Sequence, residues 1–154
     1  MTKALVLYHS QEYGHTGMMA EAVAAGLRDA GCEVTVWNTH TQGRFDAATF
    51  PQYDCAAFGS PDYYSYVAGL MKQFMDDHYV LDVRQGMQGL KGKPYALFCS
   101  HGGGGRAKDV MVGLFKRVGT QIGDLVASQR RPSAATLARC HALGEALAAA
   151  AAAK

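Results

Sequence analysis

Ser10-Gln11-Glu12-Tyr13-Gly14-His15-Thr16 brings two hydroxyls, a glycine and a histidine together at the start of a helical pattern. Hydroxyls beside the free N–H groups of a helix start suit a phosphate, which gains from the amides and from the helix dipole. The order matches neither G-x-x-x-x-G-K-[ST] nor G-x-G-x-x-G, which excludes a nucleoside-triphosphatase loop and a dinucleotide fingerprint. The plainer alternative is that Ser10 and Thr16 only cap the helix. A second segment, Gly59-Ser60-Pro61-Asp62-Tyr63-Tyr64-Ser65-Tyr66, holds three tyrosines within four residues. Buried phenols need partners, so three together argue for a planar aromatic face rather than for core. A third, Ser100-His101-Gly102-Gly103-Gly104-Gly105-Arg106, has four consecutive glycines. A plain turn needs one or two, so ordering four points to backbone lying close against a ligand. A flexible loop without function is the alternative.

An alternating strand–helix chain positions all three segments. Residues 3–8 are strand-like, and residues 14–30 carry Met19, Val23 and Leu27 at helical spacing before Gly31 as a C′ residue. Strands follow at 33–37 and 53–59, then a helix with Val67, Leu70, Met71, Phe74 and Met75 on one face. Residues 94–100 form a fourth strand, Val110, Met111, Leu114, Phe115 and Val118 stripe the next helix, and 125–128 is a weak fifth strand. From Pro132 the chain is helical through Leu137, Leu143 and Leu147 into an alanine tail, which needs no function because alanine is the best helix former. Residues 42–51 and 82–92 read as surface loops. The alternation predicts an α/β fold with right-handed crossovers and a mostly parallel sheet covered on both faces, one domain over residues 1–154. Ligands bind beyond the carboxyl ends of such strands. The three segments follow the first, third and fourth strands.

Composition narrows the function classes. Hydrophobic residues at 49% and charged residues at 18% exclude a disordered chain, and fifteen Lys+Arg against thirteen Asp+Glu give no case for nucleic acid. No apolar run approaches the roughly 18 residues of a membrane span, and the start of the chain lacks a signal-peptide core, so a cytoplasmic protein is expected. Cys32, Cys55, Cys99 and Cys140 form no C-x-x-C pair and have no histidine at ligand spacing, so neither a metal site nor a disulfide framework is expected. They read as small buried hydrophobes. His40, His78 and His141 read as surface residues. His9, His15 and His101 converge on the predicted pocket, each with a hydrogen-bonded loop histidine as the alternative.

Taken in order at the strand ends, these motifs resemble the flavodoxin-like flavoproteins nearly end to end. Tyr13-Gly14-His15 looks like the quinone-reductase branch. So do Gly59-Ser60-Pro61-x-Tyr63-Tyr64 and the following Ala68-Gly69-x-Met71-Lys72-x-Phe74. The resemblance implies a three-layer αβα sandwich on a five-stranded parallel sheet in order 2-1-3-4-5, with FMN as cofactor. Ser10, Gln11, Tyr13, Gly14, His15 and Thr16 would surround the phosphate. Ser60, Pro61, Asp62, Tyr63 and Tyr64 would meet the flavin from the second loop, with Tyr63 or Tyr64 against one ring face. Ser100, His101, Gly102, Gly103, Gly104 and Gly105 would meet it from the third loop. The flavin would carry the chemistry, with His101 a candidate catalytic group. Implied partners are NAD(P)H or a redox-partner protein, and a small quinone-like acceptor, with a homo-oligomer left open. A one-electron carrier is the alternative within the family, and a flavin-free interaction module the alternative outside it. Gln11 and Glu12 depart from the small hydroxyl residues flavodoxins often carry there, the chain is slightly basic, and no element is dedicated to a nicotinamide nucleotide. A phospho-acceptor receiver domain would need an acidic pair after the first strand and an Asp ending the third; these ends read Tyr8-His9-Ser10 and Phe58-Gly59-Ser60.

Overall fold

A computed structural model describes residues 1–154. The strands β1 (Lys3–Tyr8), β2 (Glu33–Asn38), β3 (Cys55–Pro61), β4 (Lys93–His101), β5 (Gly119–Gln121) and β6 (Val126–Gln129) are all parallel. Their order is β2-β1-β3-β4-β5, with β6 also on β4. The single fifth strand expected at 125–128 is therefore two pieces sharing one sheet position. β5 lies beside Lys93, Pro94 and Tyr95, and β6 beside Phe98 to His101. Gly119-Thr120-Gln121 has no apolar pattern to betray it. Gly119 is what lets it pair, since a Cβ there would stand 2.1 Å from the Lys93 carbonyl oxygen.

The central strands are apolar on both faces because helices cover both. On one side α1 (His15–Asp29) and α5 (Ala134–Ala152) pack Met19, Val23, Leu27, Leu143 and Leu147 against Val6, Ala57 and Phe98. On the other, α3 (Gly69–Tyr79) and α4 (Ala107–Phe115) pack Met71, Phe74, Met111 and Phe115 against Leu5, Phe58 and Leu97. A short helix α2 (Thr39–Gln42) follows β2. The alanine tail continues α5, with Leu147 and Ala148 buried. No helix is long and apolar enough to cross a membrane. All four cysteines are free and buried, and burial pushes the Cys55 and Cys99 thiols up to about 12.

Two expectations need correction. Residues 42–51 and 82–92 are not plain surface loops. Ala47–Gln52 is a 3-10 turn that buries Phe50, and α3 runs on through a wider turn at Val80–Arg84 before Leu90 enters the core. His78 is not a surface residue. It is 3% exposed, packed among Phe50 and Phe74, with Nε2 3.3 Å from the Leu90 carbonyl. A helix-end position misled because the following turn folds back over it.

Burial holds the His78 pKa below its ordinary value, against the Leu90 carbonyl and Asp82, which favour the charged form. The neutral form is thus preferred on folding. The contribution to stability is complete above the unfolded pKa of about 6.5 and is lost as pH falls through the lowered folded value. His141 has the opposite sign. Asp29 Oδ2 at 2.7 Å from its Nε2 raises its pKa, so its contribution holds at low pH and fades as pH rises through the folded value. That pair is exposed and weak. The acid side of the Tm–pH curve should therefore steepen below about pH 6.5 in the wild type and flatten in His78→Gln. Parallel acid limbs in the two proteins would refute this assignment.

Candidate functional site

All three segments meet at the carboxyl edge of the sheet, around a cleft of about 480 Å³. Its walls are Gln11, Glu12, Tyr13, His15 and Thr16 from the first loop, Pro61, Asp62 and Tyr63 from the second, and Ser100, His101 and Gly102 from the third, with Arg130 completing them.

The first loop is built to leave donors free. Glu12 and Gly14 take φ +60° and +73°, which wraps the chain into a concavity of the kind that binds anions. The Gly17 N–H donates to Ser10 Oγ (3.0 Å), so Ser10 does cap α1. Capping is not the whole role of the loop, because Gly14 supplies no side-chain cap and the N–H groups of Gln11, Glu12, Tyr13, His15 and Thr16 find no acceptor within the protein. The Thr16 hydroxyl pairs with Ser100 Oγ (2.7 Å), tying the first loop to the third. Tyr13 and His15 stack at 5.6 Å along the cleft wall. A phosphate fits this donor set. Glu12 also borders the cleft, and after burial its carboxylate is what pushes the Tyr63 phenol pKa up.

Two residues behind the cleft position this loop, Asn38, which no sequence motif singled out, and His9. Asn38 grips the Ser10 backbone at both ends: its Oδ1 accepts from the Ser10 N–H (3.0 Å) and its Nδ2 donates to the Ser10 carbonyl (3.1 Å). His9 is buried, with Nδ1 2.8 Å from Thr39 Oγ1 and Nε2 2.6 Å from Gln11 Oε1. His9 is thus a satisfied support beneath the loop, as its plainer alternative held.

The second loop separates its tyrosines. Tyr63 and Tyr66 exchange backbone hydrogen bonds (3.0 and 3.1 Å) around Tyr64 and Ser65, both at positive φ. Tyr63 faces the cleft, edge-on to His9, whereas Tyr64 sits fully exposed at the tip of the turn and outside the cleft wall. Ser60 is completely buried: its hydroxyl donates to the Pro61 carbonyl and accepts from the Ala68 N–H, so it shapes the loop from beneath. Asp62 is committed twice, Oδ1 accepting from the Ser65 N–H (2.8 Å) and Oδ2 from the Ala107 N–H at the start of α4 (3.0 Å).

In the third loop only His101 and Gly102, after Ser100, reach the cleft wall. Gly103, Gly104 and Gly105 lie outside it. Gly105 alone needs to be glycine for the backbone, with φ +70° and a Cβ that would stand 2.9 Å from His101 Nε2. A Cβ at Gly102, Gly103 or Gly104 would meet nothing, so the fold itself places no demand on those three. His101 Nδ1 lies 2.9 Å from the Gly103 carbonyl, which can only accept, so Nδ1 carries a proton.

Arg130 follows the last strand, at φ +62°. The rule that ligands bind beyond strand ends, applied to β6 as it was to the others, would have found it.

Comparisons with known proteins agree with this architecture. A family model described as Flavodoxin matches residues 6–143. A protein of Brucella anthropi named NAD(P)H dehydrogenase (quinone) is 36% identical over 93 residues, covering 49% of this chain and 46% of its own. One of the same name from Paraburkholderia phymatum is 30% identical over 121 residues, covering 68% and 60%. The chain thus spans about half to three-fifths of the length of these curated relatives. A solved flavodoxin from the domain Archaea superposes with a TM-score of 0.80 at 25% identity, covering 98% of this chain and 99% of that one.

Proposed function

The chain belongs to the flavodoxin family, whose cofactor is FMN, and from that premise we propose that it is an oxidoreductase passing electron pairs from NAD(P)H or a partner protein to quinone-like acceptors. When bound, FMN supplies the redox chemistry, and the protein supplies binding and orientation. In this reading the free amides of the first loop hold the phosphate, with Ser10 and Thr16 beside them. Tyr63 borders one side of the flavin site, and His101 and Gly102 border the other. His101, on the cleft wall, is the candidate to take or return a proton there. The four free, buried thiols accord with a cytoplasmic location.

The observation that carries the two-electron reading is the state of Asp62. A full two-electron reduction leaves negative charge on the ring, and a carboxylate aimed at it would resist that charge. One unit charge at about 4 Å is worth about 4 kcal/mol at an effective dielectric of 20. Asp62 is the one carboxylate on the cleft walls of the second and third loops, and its charge is offset by the Ser65 N–H, by the Ala107 N–H at the positive end of α4, and by Arg130 on the same cleft wall. The shared name of the two curated relatives supports the same reading.

A reductive titration of the FMN-loaded protein tests it. Flavin absorbance should pass from oxidised to fully reduced in a single two-electron step, and NAD(P)H followed by a benzoquinone should cycle it. Two widely separated one-electron potentials, with no reaction towards NAD(P)H, would assign the protein as a one-electron carrier.

A further inference from the structure

We propose that Arg130 is the counter-cation of the FMN phosphate, a cofactor-binding residue delivered by the end of the last strand. The inference rests on the FMN reading above. Three residues with permanent charge line the cleft, and two of them, Glu12 and Asp62, are carboxylates. The first loop offers a phosphate amides, hydroxyls and the His15 imidazole but no permanent cation, and Glu12 adds a negative charge to that same loop. A dianion seated there is short of positive charge, and Arg130 is the one fixed cation in the cleft wall.

Its placement fits the role. The Arg130 N–H donates to the His101 carbonyl (2.6 Å), and the Ser128 hydroxyl donates to the Arg130 carbonyl (3.0 Å). Arg130 is thereby fixed one residue away from Ser100, whose hydroxyl pairs with Thr16 at the start of α1. The helix that follows, α5, begins at the same edge of the sheet and packs against α1, and Arg130 lines the same cleft as the first loop. The guanidinium takes part in none of the ion pairs of the protein and in no internal hydrogen bond. Arginine is also a costly choice for the backbone: at φ +62° glycine or asparagine would serve the turn better. The four non-glycine residues at positive φ, Glu12, Tyr64, Ser65 and Arg130, all lie in loops at this edge, where strained backbone gathers around function. A planar fork of N–H donors is the side-chain geometry that suits phosphate oxygens.

The test compares FMN with riboflavin, which lacks the phosphate, on wild type, Arg130→Gln and Arg130→Lys, using quenching of flavin fluorescence at low and high salt. Arg130→Gln should weaken FMN about tenfold, with riboflavin held within about twofold. It should also flatten the salt dependence of FMN binding. Arg130→Lys should recover part of the loss, since charge returns without the fork. Equal weakening of both flavins would move Arg130 to the ring or to a purely structural role, and unchanged affinity for both would leave the cation unrelated to the cofactor. Either overturns the inference alone. A wild-type protein that binds neither flavin overturns the FMN reading and this inference with it.

Discussion

FMN should bind this protein at least about a hundredfold more tightly than riboflavin. Five N–H groups, those of Gln11, Glu12, Tyr13, His15 and Thr16, have no acceptor inside the protein, and two of them open a fifteen-residue helix. A hydrogen bond from such a donor to a charged phosphate oxygen is worth about 1.5–3 kcal/mol. Two of the five at the lower figure give about 3 kcal/mol, a factor above one hundred in affinity. Riboflavin would still find the walls formed by Tyr63, His101 and Gly102, but it would leave the donors of the first loop to water. The Asn38 clamp gives an internal control. Asn38→Ala releases both ends of the Ser10 peptide, so it should narrow the FMN-to-riboflavin ratio while leaving riboflavin little affected. Comparable dissociation constants for the two flavins in the wild-type protein would remove the phosphate role from this loop.

How much of this was legible in the sequence follows from what each residue depends on. β1, β3 and β4 are continuous apolar runs because helices bury both their faces, and a run of that kind marks a central strand without any tertiary knowledge. With three strands fixed, the loops at their carboxyl ends and the segments forming the cleft follow. β5 was hidden because a three-residue edge segment carries no periodicity, and its pairing depends on one glycine lying against Lys93. His78 was misread because its burial comes from Phe50 and Leu90, both remote in sequence and both in stretches that look like loops. Asn38 acts through bonds to Ser10, far away along the chain, and no local pattern announces it, whereas Arg130 stands just past a strand end, where the rule used for the other strands reaches it. The tyrosine cluster was recognisable as unusual. That Tyr63 and Tyr64 would part company depends on a turn at positive φ built without glycine, which no turn signature in the sequence announces.

Gly26→Ala and Gly144→Ala should each cost about 3 kcal/mol or more of stability, although alanine is the better helix former by about 1 kcal/mol. The two glycines lie where α1 and α5 cross, and each lets the other's backbone approach. A Cβ on Gly26 would stand 2.0 Å from the His141 carbonyl oxygen, and one on Gly144 would stand 2.2 Å from that of Val23. Backbone carbonyls cannot rotate aside as a flexible side chain can, so the helices must separate. Separation loosens Val23, Leu27, Cys140 and Leu147, all completely buried. The double variant should cost less than the sum of the two, because a gap opened for one methyl already admits the other. The site then feels the change through α1, whose first turn carries His15 and Thr16 and whose Thr16 hydroxyl is bonded to Ser100. Moving that helix misaligns the free amides against the third loop, so FMN affinity should fall together with stability. A surface mutation of equal cost elsewhere should leave affinity intact. Denaturant unfolding of the apo-proteins measures the first effect and FMN titration below the transition measures the second. Either variant unfolding within about 0.5 kcal/mol of wild type would show that the crossing is slack enough to admit a methyl group.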